Sequence, residues 1–195
     1  AAGDISSNGA VSLTGAAGIS TAGDITTTAD AITFNSATTL TDNVALDSAG
    51  GQIDFLSTLT GTTANTETLT LTAGAGAINF DAAVGATSLG DLQIVSADDV
   101  TIDSTYSTSD FEQLAGSGTT TIGVGGGLTA TTGDVSIIAD AIALDAGITA
   151  TGGTGLVTLN ADNGSASGLG LVIDGAGDIS SAGVVALTAA EGIST

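Results

Sequence analysis

Lysine, arginine and histidine are all missing from this chain of 195 residues, which carries 21 aspartates and glutamates. Its formal net charge is therefore −21, and no salt bridge between side chains is possible. Each carboxylate has to stay hydrated, accept hydrogen bonds or attract a cation. A surface of one sign disfavours nucleic acid and anionic membranes as direct partners. Nucleophilic triads fail for want of histidine, cysteine or lysine. Proline, methionine and tryptophan are absent too, and the aromatics come to one tyrosine and four phenylalanines. That inventory is too narrow for an ordinary globular enzyme and points to a repetitive chain. Without a methionine, the segment is expected to start inside a gene product. It has no charged stretch leading into an apolar one, so any secretion signal is expected outside it. No apolar run approaches the ~20 residues of a membrane span, so no membrane insertion is expected.

What remains is aliphatic residues, threonine, glycine and aspartate, with 42% of the chain hydrophobic, too much for a disordered polyanion. The apolar residues come in short alternating bursts, such as Val11-x-Leu13, Ile32-x-Phe34, Leu69-x-Leu71, Val135-x-Ile137 and Val185-x-Leu187. Period two with Val, Ile and Thr reads as strand. Gly, Ala-Gly, Asp-Asn and Gly-Gly between the bursts are turn chemistry. No amphipathic helix is legible, and the fold class is all-β.

Spacing separates a sandwich from a solenoid. Gly-Asp-(Ile/Val/Leu) begins at Gly3, Gly23, Gly90, Gly133 and Gly177. Divided by one, three, two and two, the successive gaps all give a unit of about 22 residues. The opening phrase AAGDISSNGAVSLTGAAGIST, from Ala1, and the closing phrase GAGDISSAGVVALTAAEGIST, from Gly175, agree at 15 of 21 positions. The match sets Ile5 against Ile179, Val11 against Val185, Leu13 against Leu187 and Ile19 against Ile193. About eight coils fill that offset. Residues 1–195 are expected to be one β-helix segment, with 1–174 one super-repeat and 175–195 the first coil of the next. A coil of this length holds three short strands and three corners, which is one turn of a parallel β-helix. Rising ~4.8 Å per turn, eight coils make a rod roughly 38 Å long. Phe34, Phe55 and Phe80 recur at close to one coil's spacing, as an inward core stack requires. The wider gap, from Phe55 to Phe80, predicts inserted corner residues near positions 61–68.

Recurrent Gly-Asp-Ile-(Ser/Thr), LTLTAGAGAINFDAAVGATSLGDLQI (69–94) and SADDVTI (96–102) give the chain a resemblance to a known group. It resembles the repeat regions of filamentous-haemagglutinin-like exoproteins and related giant bacterial surface adhesins. The resemblance spans essentially the whole chain and implies a right-handed parallel β-helix, secreted to the cell surface as part of a stalk or fibre. It implies a structural segment stacking end to end, with itself as partner, as a head-to-tail homopolymer or as covalent tandem repeats.

Few constellations in the chain could carry chemistry. Lyases on β-helices that act on acidic polysaccharides use a cationic residue, which this chain lacks. Asp98, Asp99 and Asp103 are the nearest carboxylate cluster for a hydrolase. A surface of −21 would repel an acidic polymer, so no enzyme is expected. Gly-rich GVGGGL (123–128) has neither the lysine nor the helix of a phosphate loop. Oxygen-rich turns make Asp42, Asp47, Asp98, Asp99, Asp103 and Asp162 candidate Ca²⁺ ligands, with Asn43, Asn160 and Asn163 beside them. No cofactor is required; divalent cations are expected to bind diffusely at the surface and to bundle neighbouring rods laterally. The alternative to a structural segment is a binding module of an adhesin, for a receptor or glycan. Its candidate is the atypical stretch 104–118, where Tyr106, Phe111 and Glu112 would form a protruding corner. Thr-rich runs such as 68–72, 26–28 and 119–121 raise ice binding as a lesser form of that alternative.

Overall fold

Short strands that alternate apolar and polar residues need something against which to bury one side, and this chain supplies it by coiling on itself. The computed structural model describes residues 3–162 and 170–195. Among them are 26 strands and no helix. The strands fall into three sheets of nine, nine and eight, and each sheet takes every third strand of the chain. The first coil shows the scheme: Ile5–Ser6 lies in the first sheet, Val11–Leu13 in the second and Ile19–Thr21 in the third. Each pairs in parallel with the equivalent strand one coil on. The molecule is thus a parallel β-solenoid of about eight turns, with the coil length that the spacing predicts.

Parallel stacking in register turns sequence positions into columns. Along the first sheet one inward column runs Ile25, Leu46, Leu71, Ile94, Gln113, Ile137, Leu159. Along the second it runs Ile32, Ile53, Ile78, Val100, Thr120, Ile142, Leu171. The two polar interruptions, Gln113 and Thr120, fall in the same coil, and the Thr120 hydroxyl donates to Gln113 Oε1 at 2.8 Å. Two polar groups in one layer cost less than two in separate layers, because each supplies a partner for the other.

Phe34, Phe55 and Phe80 form the expected stack, with ring centroids 4.9 and 5.2 Å apart and planes within 8° and 3° of parallel. Above Phe80 the same column carries Ile102. Tyr106 enters edge-on to Phe80 at 5.0 Å, and Phe111 meets Tyr106 edge-on at 5.8 Å. Five rings therefore run continuously through the core. The expectation of a protruding corner at Tyr106, Phe111 and Glu112 is corrected by this arrangement. Tyr106 and Phe111 are each 1% exposed, because the smaller Ile102 leaves room that rings from the third and first sheets fill. Glu112 alone points outward, and its carboxylate accepts a hydrogen bond from Gln93 Nε2 at 2.7 Å.

Extra corner residues do lie between the strands Leu59–Gly61 and Leu69–Thr72. Asn65 N–H donates to Ser88 O at 2.8 Å, and the Thr131 hydroxyl donates to Asn65 Oδ1 at 2.9 Å. The inserted loop is therefore laid along the rod over later coils, anchored at its base by Glu67.

The repeat of the opening phrase has an unexpected phase. From Ile5–Ser6 to Ile179–Ser181 the chain advances 23 strands, one short of eight turns. Ile5 therefore sits in the first sheet and its sequence match Ile179 in the third, while Val11 sits in the second and Val185 in the first. The matching phrases occupy coils turned by one face relative to each other. Coil length varies enough to hide a single strand: in the first sheet the step from Ile94 to Gln113 is short, and the step from Leu159 to Leu187 is much longer.

Candidate functional site

Carboxylates without basic partners need other donors, and the corner preceding the first sheet shows where they come from. Asp4 Oδ1 accepts from Asp24 N–H at 3.1 Å, and Asp24 Oδ1 from Ala45 N–H at 2.8 Å. Asn43 Oδ1 accepts from Thr68 N–H at 2.9 Å. Higher up, Asp110 Oδ1 accepts from Asp134 N–H at 2.6 Å and Asp134 Oδ1 from Leu156 N–H at 2.8 Å. Each side chain reaches one coil onward and satisfies a backbone donor at a corner where the sheet ladder is interrupted. Glycine completes the unit from the other side. A Cβ on Gly23 would overlap the Gly3 carbonyl oxygen of the coil below. Gly-Asp-Ile is thus a stacking cassette: glycine permits close approach to one neighbour, aspartate binds the next, and isoleucine starts a strand. Its recurrence was visible in the sequence as a period marker; the hydrogen bonds were not.

The candidate cation ligands are spread out; two are engaged within their own turns and two by the next coil. Asp42 Oδ1 accepts from Asn43 N–H at 2.8 Å, and Asp47 Oδ1 from Ala49 N–H at 2.9 Å. Asp98 Oδ1 accepts from the Ser117 hydroxyl at 2.9 Å and Asp99 Oδ1 from Thr119 N–H at 2.7 Å. Asp103 follows the strand Val100–Ile102 at the next corner, against Gly123. Asp162 is exposed beyond the strand Val157–Ala161, and Asn163 lies outside the described residues. Among the described residues no group of three or more carboxylates is close enough to share an ion.

Three titrating groups are perturbed. Burial pushes the Tyr106 phenol well above its ordinary range. Asp91 is raised by burial and by the neighbouring Asp110 carboxylate. Burial pushes the Glu67 carboxyl up, but hydrogen bonds from the Thr62 hydroxyl and from Thr63 N–H at 3.1 Å outweigh it and leave it lowered.

The third sheet presents a different surface, since none of its eight strands contains a carboxylate. Its outward positions form a file of hydroxyls: Ser20, Thr39 and Thr60, then Ser107, Thr129, Thr149 and Ser180. The file is interrupted at Val84–Leu89, where the register shifts. The Thr-rich runs at 26–28, 68–72 and 119–121 lie instead on the first and second sheets, so they do not join this file or form one array with each other.

The two ends of the solenoid are the remaining surface. Ile5, Leu13 and Ile19 at one end are only partly buried. At the other end Val185 is 41% and Ile193 45% exposed, whereas Val157 and Leu171, one coil inward in the same columns, are fully buried. This geometry defines the class: a parallel β-solenoid whose end coils keep the construction of interior coils. No family model matches the chain, and no curated protein or solved structure does either.

Proposed function

We propose that the chain is a structural segment of an extracellular bacterial fibre or adhesin stalk, in which such segments stack end to end into a long filament. The observation that carries the reading is the self-complementary build of the coil. The coils offer one neighbour their glycines and the next their Asp side chains, and the end coils expose the same apolar columns that interior coils bury. Unpaired sheet edges of this kind invite further pairing. Placement at the cell surface rests on the resemblance to filamentous-haemagglutinin-like repeats. Continuation is either covalent, with 1–174 as one super-repeat and 175–195 opening the next, or through association of separate chains. With 21 carboxylates and no basic side chain, lateral contact between rods requires cations. Electron microscopy and fibre diffraction of the purified chain test the reading: filaments with a ~4.8 Å axial strand repeat are expected. Discrete particles one chain long at every concentration would overturn it. Added chelator at low ionic strength is expected to disperse lateral bundles while leaving the circular dichroism of single rods unchanged.

A binding role is the second reading, and the hydroxyl file on the third sheet favours it over the buried Tyr106 and Phe111. Glycan-array binding or thermal hysteresis abolished by Thr129→Asp, with the fold retained, would support it.

A further inference from the structure

We infer that two copies of this segment stack in a register turned by one face, so that residues 3–21 of one copy rest on the matching residues 177–195 of the other. The inference deepens the end-to-end reading above in its second form, the association of separate chains, and rests on it. It follows from three observations. First, the 26 strands of the described residues make eight turns of three and leave two over. The last three strands, Ile179–Ser181, Val185–Ala189 and Ile193–Ser194, lie in the third, first and second sheets. A strand continuing the coil must fall on the third sheet, over Ile179–Ser181. A second copy that keeps its own first sheet over the first sheet below would put Ile5–Ser6 over Val185–Ala189. That leaves the space of one strand empty above Ile179–Ser181, with backbone donors and acceptors unpaired on both sides of the gap. Turning the second copy by one face closes it.

Second, the turned register puts like on like. Ile5 comes over Ile179, Val11 over Val185, Leu13 over Leu187 and Ile19 over Ile193, the pairs by which the two phrases match in sequence. Each is an inward apolar position at an edge, so a junction of four matched aliphatic pairs closes the core.

Third, the contact already exists inside the chain. Gly23-Asp24-Ile25 sits on Gly3-Asp4-Ile5, with Ile25 over Ile5, Asp24 N–H on Asp4 Oδ1 and Ile5 N–H on Asp24 O at 2.9 Å. The turned junction repeats this arrangement with Gly3-Asp4-Ile5 now on top of Gly177-Asp178-Ile179. The exposed Asp178 carboxylate is placed to accept Asp4 N–H, as Asp4 accepts Asp24 N–H.

The chain contains no cysteine, so introduced thiols report the register without background. In-register neighbours on parallel strands lie ~4.8 Å apart, within the ~4.4–6.8 Å that a disulfide spans. Ser12→Cys with Ala186→Cys tests the turned register, and Ser12→Cys with Ser194→Cys the unturned one. Ser12→Cys with Thr33→Cys, neighbours within one chain, verifies that outward pairs oxidise. The expected result is a ladder of disulfide-linked oligomers from the first pair and not the second, collapsed by reductant. A ladder from the second pair alone overturns the turned register and leaves end-to-end stacking standing. Oligomers seen by sedimentation but linked by neither pair overturn the register as well. Monomers from both pairs, with one-chain mass at every concentration, overturn the stacking itself.

Discussion

Tyr106 offers an unusually clean experiment. Its phenol is 1% exposed and its hydroxyl has no hydrogen-bond partner, so burial holds the proton on and raises the pKa well above the ordinary value. The chain has no lysine, arginine, histidine or cysteine and no second tyrosine. Above about pH 9, Tyr106 is therefore the only side chain that changes charge. In the unfolded chain it ionises near pH ~10, whereas the folded chain keeps it neutral. A group whose folded pKa is raised contributes stability that is intact below the unfolded value and lost as pH rises. The loss approaches about 1.4 kcal/mol per pH unit above ~10 for as long as the folded chain holds the phenol neutral. Tyr106→Phe removes the titration and the unpaired hydroxyl together. The variant is expected to gain about 1–3 kcal/mol at neutral pH and to show a flat alkaline limb. Denaturant unfolding followed by far-ultraviolet circular dichroism at pH 7, 10, 11 and 12 measures both effects. Phenolate absorbance in the wild type should rise only with loss of β-structure. Reversible phenolate formation near pH 10 in an intact sheet, or an unchanged alkaline slope in the Phe variant, would refute the reasoning.

Phe55 is clamped between Phe34 and Phe80, so Phe55→Ala should cost about 3–5 kcal/mol in denaturant unfolding, against less than about 1.5 kcal/mol for Phe55→Leu. The lowered Glu67 carboxyl contributes stability above the ordinary carboxylate range that is lost as pH falls through its folded value. Glu67→Gln should therefore flatten the acid limb and speed hydrogen exchange in residues 62–67. Asp91 is shifted the other way, so its contribution is present at low pH and lost as pH rises through the folded value. Asp91→Asn should raise the unfolding midpoint at pH 7 and leave it unchanged near pH 3.

The solenoid was legible because its signals are local. Alternation of the Val11-x-Leu13 kind needs only neighbouring residues, and the regular spacing of Phe34, Phe55 and Phe80 reports coil length directly. Tyr106 and Phe111 were misplaced because they occur once, and a residue outside the repeat pattern reads as one outside the rod. Their burial depends on Ile102 being smaller than the phenylalanines beneath it, a volume argument that needs the column assignment first. The aspartate ladder was hidden for a related reason. Asp24 looks like a solvated turn residue until Ala45, 21 positions on, is known to be its donor. Coils as unequal as those from Ile94 to Gln113 and from Leu159 to Leu187 make that partner impossible to assign by period alone. The same variation concealed the missing strand between Ile5 and Ile179.

The short rise of each coil also sets what the rod is to the ions around it. Twenty-one carboxylates are carried on fewer than nine coils, each ~4.8 Å tall, which amounts to one negative charge per about 2 Å of axis. Duplex DNA carries one per ~1.7 Å. At that linear density a rod does not merely attract cations; it holds a condensed sheath of them whose composition follows the medium. Any basic ligand that docks on it must displace that sheath, so its affinity should fall along a straight line in log K against log salt. Electrostatically the protein behaves as a polyanionic cable whose charge sits mostly at the corners, with Asp47, Asp54 and Glu112 within strands and one sheet free of it.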